Sequence, residues 1–498
     1  MIVDETAGAD LTGRATLDDL FRRAAVRNAD AVALADPDNR ATFTDGEPRQ
    51  LTYAQADRVI WAIAARLRAL GLQPDSVVAF QLPNTVESVL LLLGILRAGL
   101  VAAPLPMLWR KSEIGAALSQ VAANALVTTA RIGEAGHCDI AMQAAAELFS
   151  VRHVCAFGEA LPDGVVSLQG VFAGDRCDLP PALRRDGNPA EHNAVVTFEP
   201  ATRGIQPVVR THAQLIAGGT AVFSQCGQNR SGALLSATAI SSFAGIAVTL
   251  VPWLLSAGTL VLHQPFDADC FFAQQRAWQC NAVVVPGPLA AAIDETGRFD
   301  GITTLTILAL WRAPERPDRA QWRGRASLCD ITAFGEFGLV ASRRGPRDSM
   351  ASLPLGEHGA SAAVAGKRTT SGTLALRGTM VARSGLPAPE DHDAPARAPA
   401  DGFVDTCYPC RDEDGRIVVT GPQPGMIGIG GYRIARGEID AVSATLPPDS
   451  VIAALPDALT GQRLKGRAVD PAEAKAQLVA SGANPLLSGA FTPQIANS

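Results

Sequence analysis

The sequence predicts a layered α/β protein: two α/β units, then a small β-rich unit, then a short C-terminal unit. Three observations predict it. Short apolar runs alternate with helix-length amphipathic segments over residues 16–105. The alternation resumes over residues 194–310. From about residue 351 the texture changes to short apolar runs separated by Gly, Pro and Asp. Strands alternating with helices argue a largely parallel sheet with helices on its faces, and the later texture argues an antiparallel unit.

Residues 1–15 read as a polar leader. The run Thr16–Asp19 carries a helix-capping signal, followed by apolar spacing at Leu17, Leu20, Phe21 and Ala24. Leu51-Thr52-Tyr53 leads into an Ala/Arg-rich helix over Ala54–Leu70, closed by Gly71. Val77–Leu82 is a strand, Pro83-Asn84 breaks it, Val86–Ala98 is a helix and Val101–Leu105 a strand. Past a Pro/Gly/acidic stretch at 157–193, strands are expected at Ala194–Phe198, Ala233–Ala239, Thr259–His263, Ala282–Val285 and Leu305–Leu310. Helices are expected between them at Thr211–Phe223, Phe243–Ser256 and Asp267–Gln279. The β-rich unit includes Thr373–Arg377 and Arg416–Thr420, with a Pro/Ala/acidic loop at 386–402. Helices are expected to start at Arg436 and Pro471. The domains are expected at 1–193, 194–350, 351–425 and 426–498.

The 498 residues are 47% apolar and 18% charged, enough for a sizeable core. A net charge of −6 leaves no electrostatic footprint for nucleic acid. The most apolar stretch, Val86 to Pro104, is interrupted by Glu87 and Arg97 and is too short to span a bilayer. Nine scattered cysteines and an acidic start without an apolar signal run give a reduced, cytoplasmic protein as the expectation. Only four lysines occur, Lys111, Lys367, Lys465 and Lys475, so chemistry that needs a lysine has four candidates.

Three stretches carry a resemblance. Residues 51–105 (LTYAQADRVIWAIAARLRALGLQPDSVVAFQLPNTVESVLLLLGILRAGLVAAPL) run in the order LTY-helix, Gly-Leu, strand, LPN, helix, GILRAG, PL. Residues 197–219 (TFEPATRGIQPVVRTHAQLIAGG) look like a phosphate loop and its helix. Residues 401–440 look like a ribose-binding segment, a hinge and the start of a lid. In these the chain resembles the adenylate-forming superfamily, nearest in look to acyl-CoA synthetases. The resemblance implies that family's fold: two α/β subdomains plus a distorted β-barrel, followed by a small lid, here truncated. It also implies ATP-dependent activation of a carboxylic acid, fatty or otherwise apolar, to an acyl-adenylate and then a CoA thioester, with Mg²⁺ as metal.

Attack of a carboxylate on a phosphate needs charge neutralisation, supplied by backbone N–H groups, a lysine and a metal. The family loop reads approximately TSGTTGxPKG. The equivalent stretch is Phe198-Glu199-Pro200-Ala201-Thr202-Arg203-Gly204-Ile205-Gln206-Pro207. Thr202 is kept, the lysine position is Gln206, and glycine positions are Pro200, Arg203 and Pro207. Glu199 adds negative charge where a triphosphate would sit; Arg203 or Arg210 would have to supply positive charge. The family's aromatic-Gly-x-Thr-Glu run is Phe334-Gly335-Glu336-Phe337-Gly338, so the metal carboxylate is missing and Glu336 is expected to face solvent. Trp311-Arg312-Ala313-Pro314 stands at the GGAP-like run, and its large side chains are expected to crowd a nucleotide. Tyr408 replaces the aspartate of Thr-Gly-Asp. Pro422 and Pro424 stiffen the hinge. Gln462 or Lys465 stands nearest to the lid lysine.

The degenerate nucleotide positions are therefore Thr202, Arg203, Gly204, Gln206, Phe334, Gly335, Glu336 and Tyr408. The acyl pocket implied is Ser242, Ala244, Pro286 and Phe334. No protein metal ligand and no catalytic residue is assigned. Cys407 and Cys410 form a lone CxxC, weak for zinc or redox chemistry. His212, after Thr211, is read as a helix-start residue, and Gly218, Gly219 and Gly245 as packing glycines. Two functions stay open: an AMP-forming acyl-CoA synthetase using ATP, Mg²⁺ and CoA, or a non-catalytic relative that binds an acyl ligand, a protein partner or a second copy of itself.

Overall fold

The computed structural model describes residues 13–173, 186–202, 204–226, 231–299, 304–315, 322, 324–344, 353–354, 363–382, 401–413 and 416–492. Most of the expected leader, most of the 386–402 loop and Arg203 lie outside these residues.

Two large sheets dominate. The seven-stranded sheet runs in the order Gly204–Thr211, Asn193–Ala201, Val101–Pro104, Val77–Phe80, Ala125–Thr129, His153–Phe157, Val166–Ser167. It is parallel except at the Gly204–Thr211 edge. The eight-stranded sheet runs Gly338–Arg344, Ser327–Phe334, Thr306–Arg312, Ala282–Pro286, Leu234–Ser236, Leu260–Leu262, Val32–Ala35, Gln50–Thr52. Its interior is parallel and both end pairs are antiparallel. Strands such as Val77–Phe80 are buried on both faces, which explains their unbroken apolar composition.

The sheets correct the expected division at residue 193. Val32–Ala35 and Gln50–Thr52 belong to the eight-stranded sheet, and Asn193–Thr211 to the seven-stranded one. The chain crosses between sheets twice, and alternation along a sequence does not record which sheet a strand joins. Helices at Lys111–Gln120 and His137–Ala145, and strands at Val32–Ala35, Ala125–Thr129, Ser327–Phe334 and Gly338–Arg344, add to the elements the pattern identified.

The helices pair as their sequences direct. Thr16 and Asp19 form the expected capping box on Leu17–Arg27. Val86–Arg97 is buried all round except at Arg97, its apolar residues covering every face and its Glu87 paired with Arg40 and Arg49. Arg97 is answered by Asp18 and Asp57, each at 2.8 Å. Gly94 lets this helix touch Tyr53–Ala69, because a Cβ there would overlap Ile63. Gly218 and Gly219 pack on Phe243 and Val251 in the same way, and Gly245 on the Ala239 carbonyl. The second of these helices is continuous over Phe243–Ser256 but passes through a π-helical turn at Ile246–Leu250.

The β-rich unit is a five-stranded antiparallel sheet in the order Leu353–Pro354, Arg416–Val419, Val404–Glu413, Thr373–Arg377, Ala365–Arg368. The C-terminal unit holds two hairpins, Met426–Ile429 with Tyr432–Ala435 and Val451–Asp457 with Gly461–Arg467. They pack with helices Arg436–Ser443, Pro471–Ala480 and Pro485–Gly489 on a small core of Ile427, Ile434, Ile439, Leu478 and Phe491. No helix among the described residues is long and apolar enough to cross a membrane.

His137 is buried at the head of its helix, with Nδ1 2.8 Å from Gln81 Oε1 and Nε2 without a partner. Burial, with Arg110 nearby, pushes its pKa down to about 3. The unfolded chain takes up this proton from pH ~6.5 downward, while the folded protein refuses it until about pH 3. Stability from this residue is complete above pH 6.5 and falls as the pH drops through that window, by up to about 1.4 kcal/mol per pH unit. Urea titrations across pH 4–7 should show that slope reduced in His137→Gln.

Candidate functional site

The segment expected as a phosphate loop is a β-hairpin. Asn193–Ala201 and Gly204–Thr211 pair in register from Val195↔Arg210 to Ala201↔Gly204. Val195, Val196, Thr197 and Phe198 facing Val208 and Val209 favour strands. Pro207 is tolerated because its strand is a sheet edge. Beyond Val195 the inner strand has no registered partner on its other side, which leaves Pro200 free to sit in it. Backbone amides that a phosphate cradle would aim outward are instead committed, at alternate residues, to the ladder.

Glu199 lies at the centre of this hairpin with its carboxylate buried. Arg433, on the Tyr432–Ala435 strand of the C-terminal unit, meets it with both ends of its guanidinium; Nη2 to Oε2 is 2.8 Å, and Nη1 pairs with Oε1. The Glu336 amide donates to Glu199 Oε2 at 2.7 Å, and Gln423 Nε2 donates to Oε1 at 3.1 Å. Gln423 Nε2 also donates to the Thr406 carbonyl at 2.7 Å. Arg433 Nη1 further donates to the Tyr408 hydroxyl at 2.6 Å. Gly335 has φ +53°, and a Cβ there would overlap the Glu199 carboxylate. Three segments distant from it in sequence, the turn after Phe334, the hinge at Gln423 and the Tyr432–Ala435 strand, thus supply hydrogen-bond donors to one carboxylate.

Glu336 corrects an expectation: it is buried, not solvent-facing. Its carboxylate accepts from the Phe243 amide at 2.7 Å, and burial pushes its pKa up, with that hydrogen bond opposing. Arg210 is also withdrawn from any phosphate role. Its guanidinium donates to the carbonyls of Met380, Glu336 and Phe337 and lies 3.8 Å from the Phe243 ring centre. Burial lowers its pKa to about 10, yet it stays protonated at neutral pH.

A cavity of about 660 Å³ opens beside this network, between the eight-stranded sheet and the C-terminal unit. Gly335 and Tyr408 line it, as do Trp311, Arg312, Tyr432 and Gln462. The large side chains at Trp311 and Arg312 do not close it. The Trp311 ring lies over Gly287, where a Cβ would overlap it, and its indole N–H donates to Asp330 at 2.9 Å. The Arg312 stem lies on Gly431.

Thr202, Gly204 and Gln206 sit at the exposed end of the hairpin and do not line the cavity. The Thr202 methyl faces the hinge residue Gly425, which leaves no room for a Cβ. Ser242 caps its helix through the Gly245 amide, Ala244 and Phe334 are buried, and Pro286 is exposed; none of the four lines the cavity. His212 accepts from the Leu17 amide, tying its helix to the first one. Cys407 is exposed and Cys410 buried on one strand, so the CxxC thiols face different surroundings. Sequence reasoning missed Arg433 and Gln423. The available signal was Glu199 itself, a lone acid following Val195–Phe198, which demands a buried cation.

The arrangement predicts strong coupling. Arg433→Ala leaves the Glu199 carboxylate buried and unpaired, and should destabilise the protein by about 3–5 kcal/mol. Adding Glu199→Ala should recover part of that loss in a double-mutant cycle read by urea unfolding.

The fold has many solved counterparts. The apo structure of Mycobacterium smegmatis MbtA superposes with a TM-score of 0.68 at 23% identity, over 97% of this chain and 91% of that one. The o-succinylbenzoate CoA synthetase of Bacillus subtilis gives 0.70 at 14% identity, over 92% and 91%. In sequence, a 2-hydroxy-7-methoxy-5-methyl-1-naphthoate–CoA ligase of Streptomyces carzinostaticus is 25% identical over 92% of this chain and 84% of its own length. The salicyl-AMP ligase/salicyl-S-ArCP synthetase of Mycobacterium tuberculosis is 26% identical over 90% and 80%. The family model described as AMP-binding enzyme matches residues 21–326. With more than half of its length inside that match, this chain belongs to the AMP-binding enzyme family.

Proposed function

We propose that this chain is an AMP-binding-family protein that recognises a small carboxylic acid but does not carry it through adenylation. The observation behind this reading is the Glu199 carboxylate buried against Gly335, where the resemblance places the triphosphate. With Arg433 in place, a guanidinium fills the space. Were Arg433 to swing away with the C-terminal unit, Glu199 would remain as an uncompensated anion beside the Glu336 carboxylate. Two like unit charges about 4 Å apart repel by roughly 4 kcal/mol at an effective dielectric of ~20. A triphosphate brings several charges. The groups present therefore do not fit Mg·ATP, and Gln206, at the expected lysine position, offers no charge to offset the repulsion.

For the acid, an aromatic carboxylate is favoured over a fatty one, because the naphthoate–CoA ligase and the salicyl-AMP ligase above are named for aromatic acids. A second reading, ATP-dependent ligation to CoA, draws on the open cavity that Gly335 and Tyr408 still line.

The two readings separate in one experiment. Purified protein with Mg·ATP, CoA and a panel of aryl and medium-chain acids should release no pyrophosphate above a protein-free control. Mg·ATP alone should leave the melting temperature unchanged, since only a ligand that binds the native state raises it. Acid-dependent pyrophosphate release would replace this proposal with the ligase reading.

A further inference from the structure

One strand of the C-terminal unit has an open edge. Among the described residues, Val451–Asp457 pairs only with Gly461–Arg467, in a two-stranded antiparallel sheet. In such a pair, residues whose N–H and C=O point at the neighbour alternate with residues whose groups point away. The Gly466 amide fixes the alternation here, because it donates away from the hairpin, to the Ala490 carbonyl at 2.8 Å. Gly466 faces Ile452, so the backbone groups of Ile452 point outward, and by alternation so do those of Ala454 and Pro456. Pro456 has no N–H, and at an outward position the hairpin loses no bond by it. Among the described residues, nothing hydrogen-bonds to the outward groups of Ile452 and Ala454.

The same strand is apolar on its exposed face. Ile452 turns into the small core of the unit, whereas Val451, Ala453 and Leu455 are exposed. Val451 is 54% and Leu455 37% exposed. Opposite them, on the inner strand, stand Arg467, Lys465 and Arg463. An apolar row thus runs along the open edge and a basic row lies one strand further in.

A second copy of this strand fits that edge. A two-fold axis at Ala453 sets Ile452 opposite the second copy's Ala454, and each such pair can exchange two N–H···O=C bonds. An axis at Ala454 would instead set Ile452 opposite Pro456, which has no N–H to give. The axis at Ala453 also sets Val451 opposite the second copy's Leu455, in the closely spaced kind of pair whose side chains touch. The basic rows fall on the two outer strands, three strand spacings of ~4.8 Å apart, beyond the ~8 Å over which physiological salt screens charge. Apolar rows therefore meet while like charges stay separated.

We propose that this chain self-associates through the Val451–Asp457 edge, two copies joining their hairpins into one four-stranded antiparallel sheet about a two-fold axis at Ala453. The contact is isologous, each copy offering the same strand. A strand edge on each side is a small interface, near or under ~1,000 Å², so association is reversible and depends on concentration. The proposal is independent of what the cavity binds.

Sedimentation velocity of the full chain, from low micromolar to several hundred micromolar, tests it. The mass should rise from 51.9 kDa toward twice that value. Over the same range, amide hydrogen exchange at Ile452 and Ala454 should slow. Val451→Lys with Leu455→Lys brings ammonium groups opposite one another across the axis and should raise the dissociation constant tenfold or more. Val451→Glu with Leu455→Lys sets opposite charges across the same axis and should keep the association. All three positions of substitution chemistry lie on exposed side chains, and circular dichroism checks that the variants fold. A wild-type mass that stays at 51.9 kDa overturns the proposal. So does a doubled mass with unchanged exchange at Ile452 and Ala454, or equal loss of association in both variants. A chain that doubles only after residues 493–498 are removed overturns it too, and gives the edge to the chain's own end.

Discussion

A buried carboxylate must be paired, and in this protein that requirement falls on Glu199. Its two oxygens receive the Arg433 guanidinium, the Glu336 amide and the Gln423 amide group. The first comes from the C-terminal unit, the second from the turn after Phe334 and the third from the hinge. Removing a charged group from water costs several kcal/mol unless such partners are supplied. The position of the C-terminal hairpin, the glycine at 335 and the buried Gln423 between two prolines can all be read as answers to that one demand.

The same constraint shapes what the site can accept. Closing the loop side with an ion pair leaves open the space between Trp311, Arg312 and the C-terminal unit. Trp311 and Arg312 border that space without closing it, because Gly287 and Gly431 offer surfaces on which an indole ring and a guanidinium stem can lie. Two glycines far from each other in sequence therefore keep the cavity open.

Charge placement follows a consistent economy of arginine in a chain with four lysines. Arg40 serves Asp36 and Glu87, Arg97 serves Asp18 and Asp57, and Arg344 serves Asp330. Arg210 is satisfied instead by carbonyls and an aromatic face. These pairings tie helix to helix and strand to strand inside the large α/β body. Arg433 uses the same chemistry across the hinge, so the small C-terminal unit is joined to the large body by an interaction of the kind that builds its interior.

Much of the architecture was legible in the amino-acid order. The capping box at Thr16 and Asp19, the mostly apolar Val86–Arg97 helix, the packing glycines at 218 and 219 and the antiparallel unit after residue 351 follow from periodicity and local chemistry, which neighbours in sequence determine. The membership of each strand in a sheet did not, because Val32–Ala35 pairs with Leu260–Leu262 across nearly half the chain. At the site the sequence offered an expectation: Gln206, Pro207 and Tyr408 stand where the resemblance implies phosphate- and ribose-holding residues. Where Glu199 finds its countercharge was decided only in three dimensions. Its partner Arg433 lies 234 residues away, and only the packed fold brings the two together out of water.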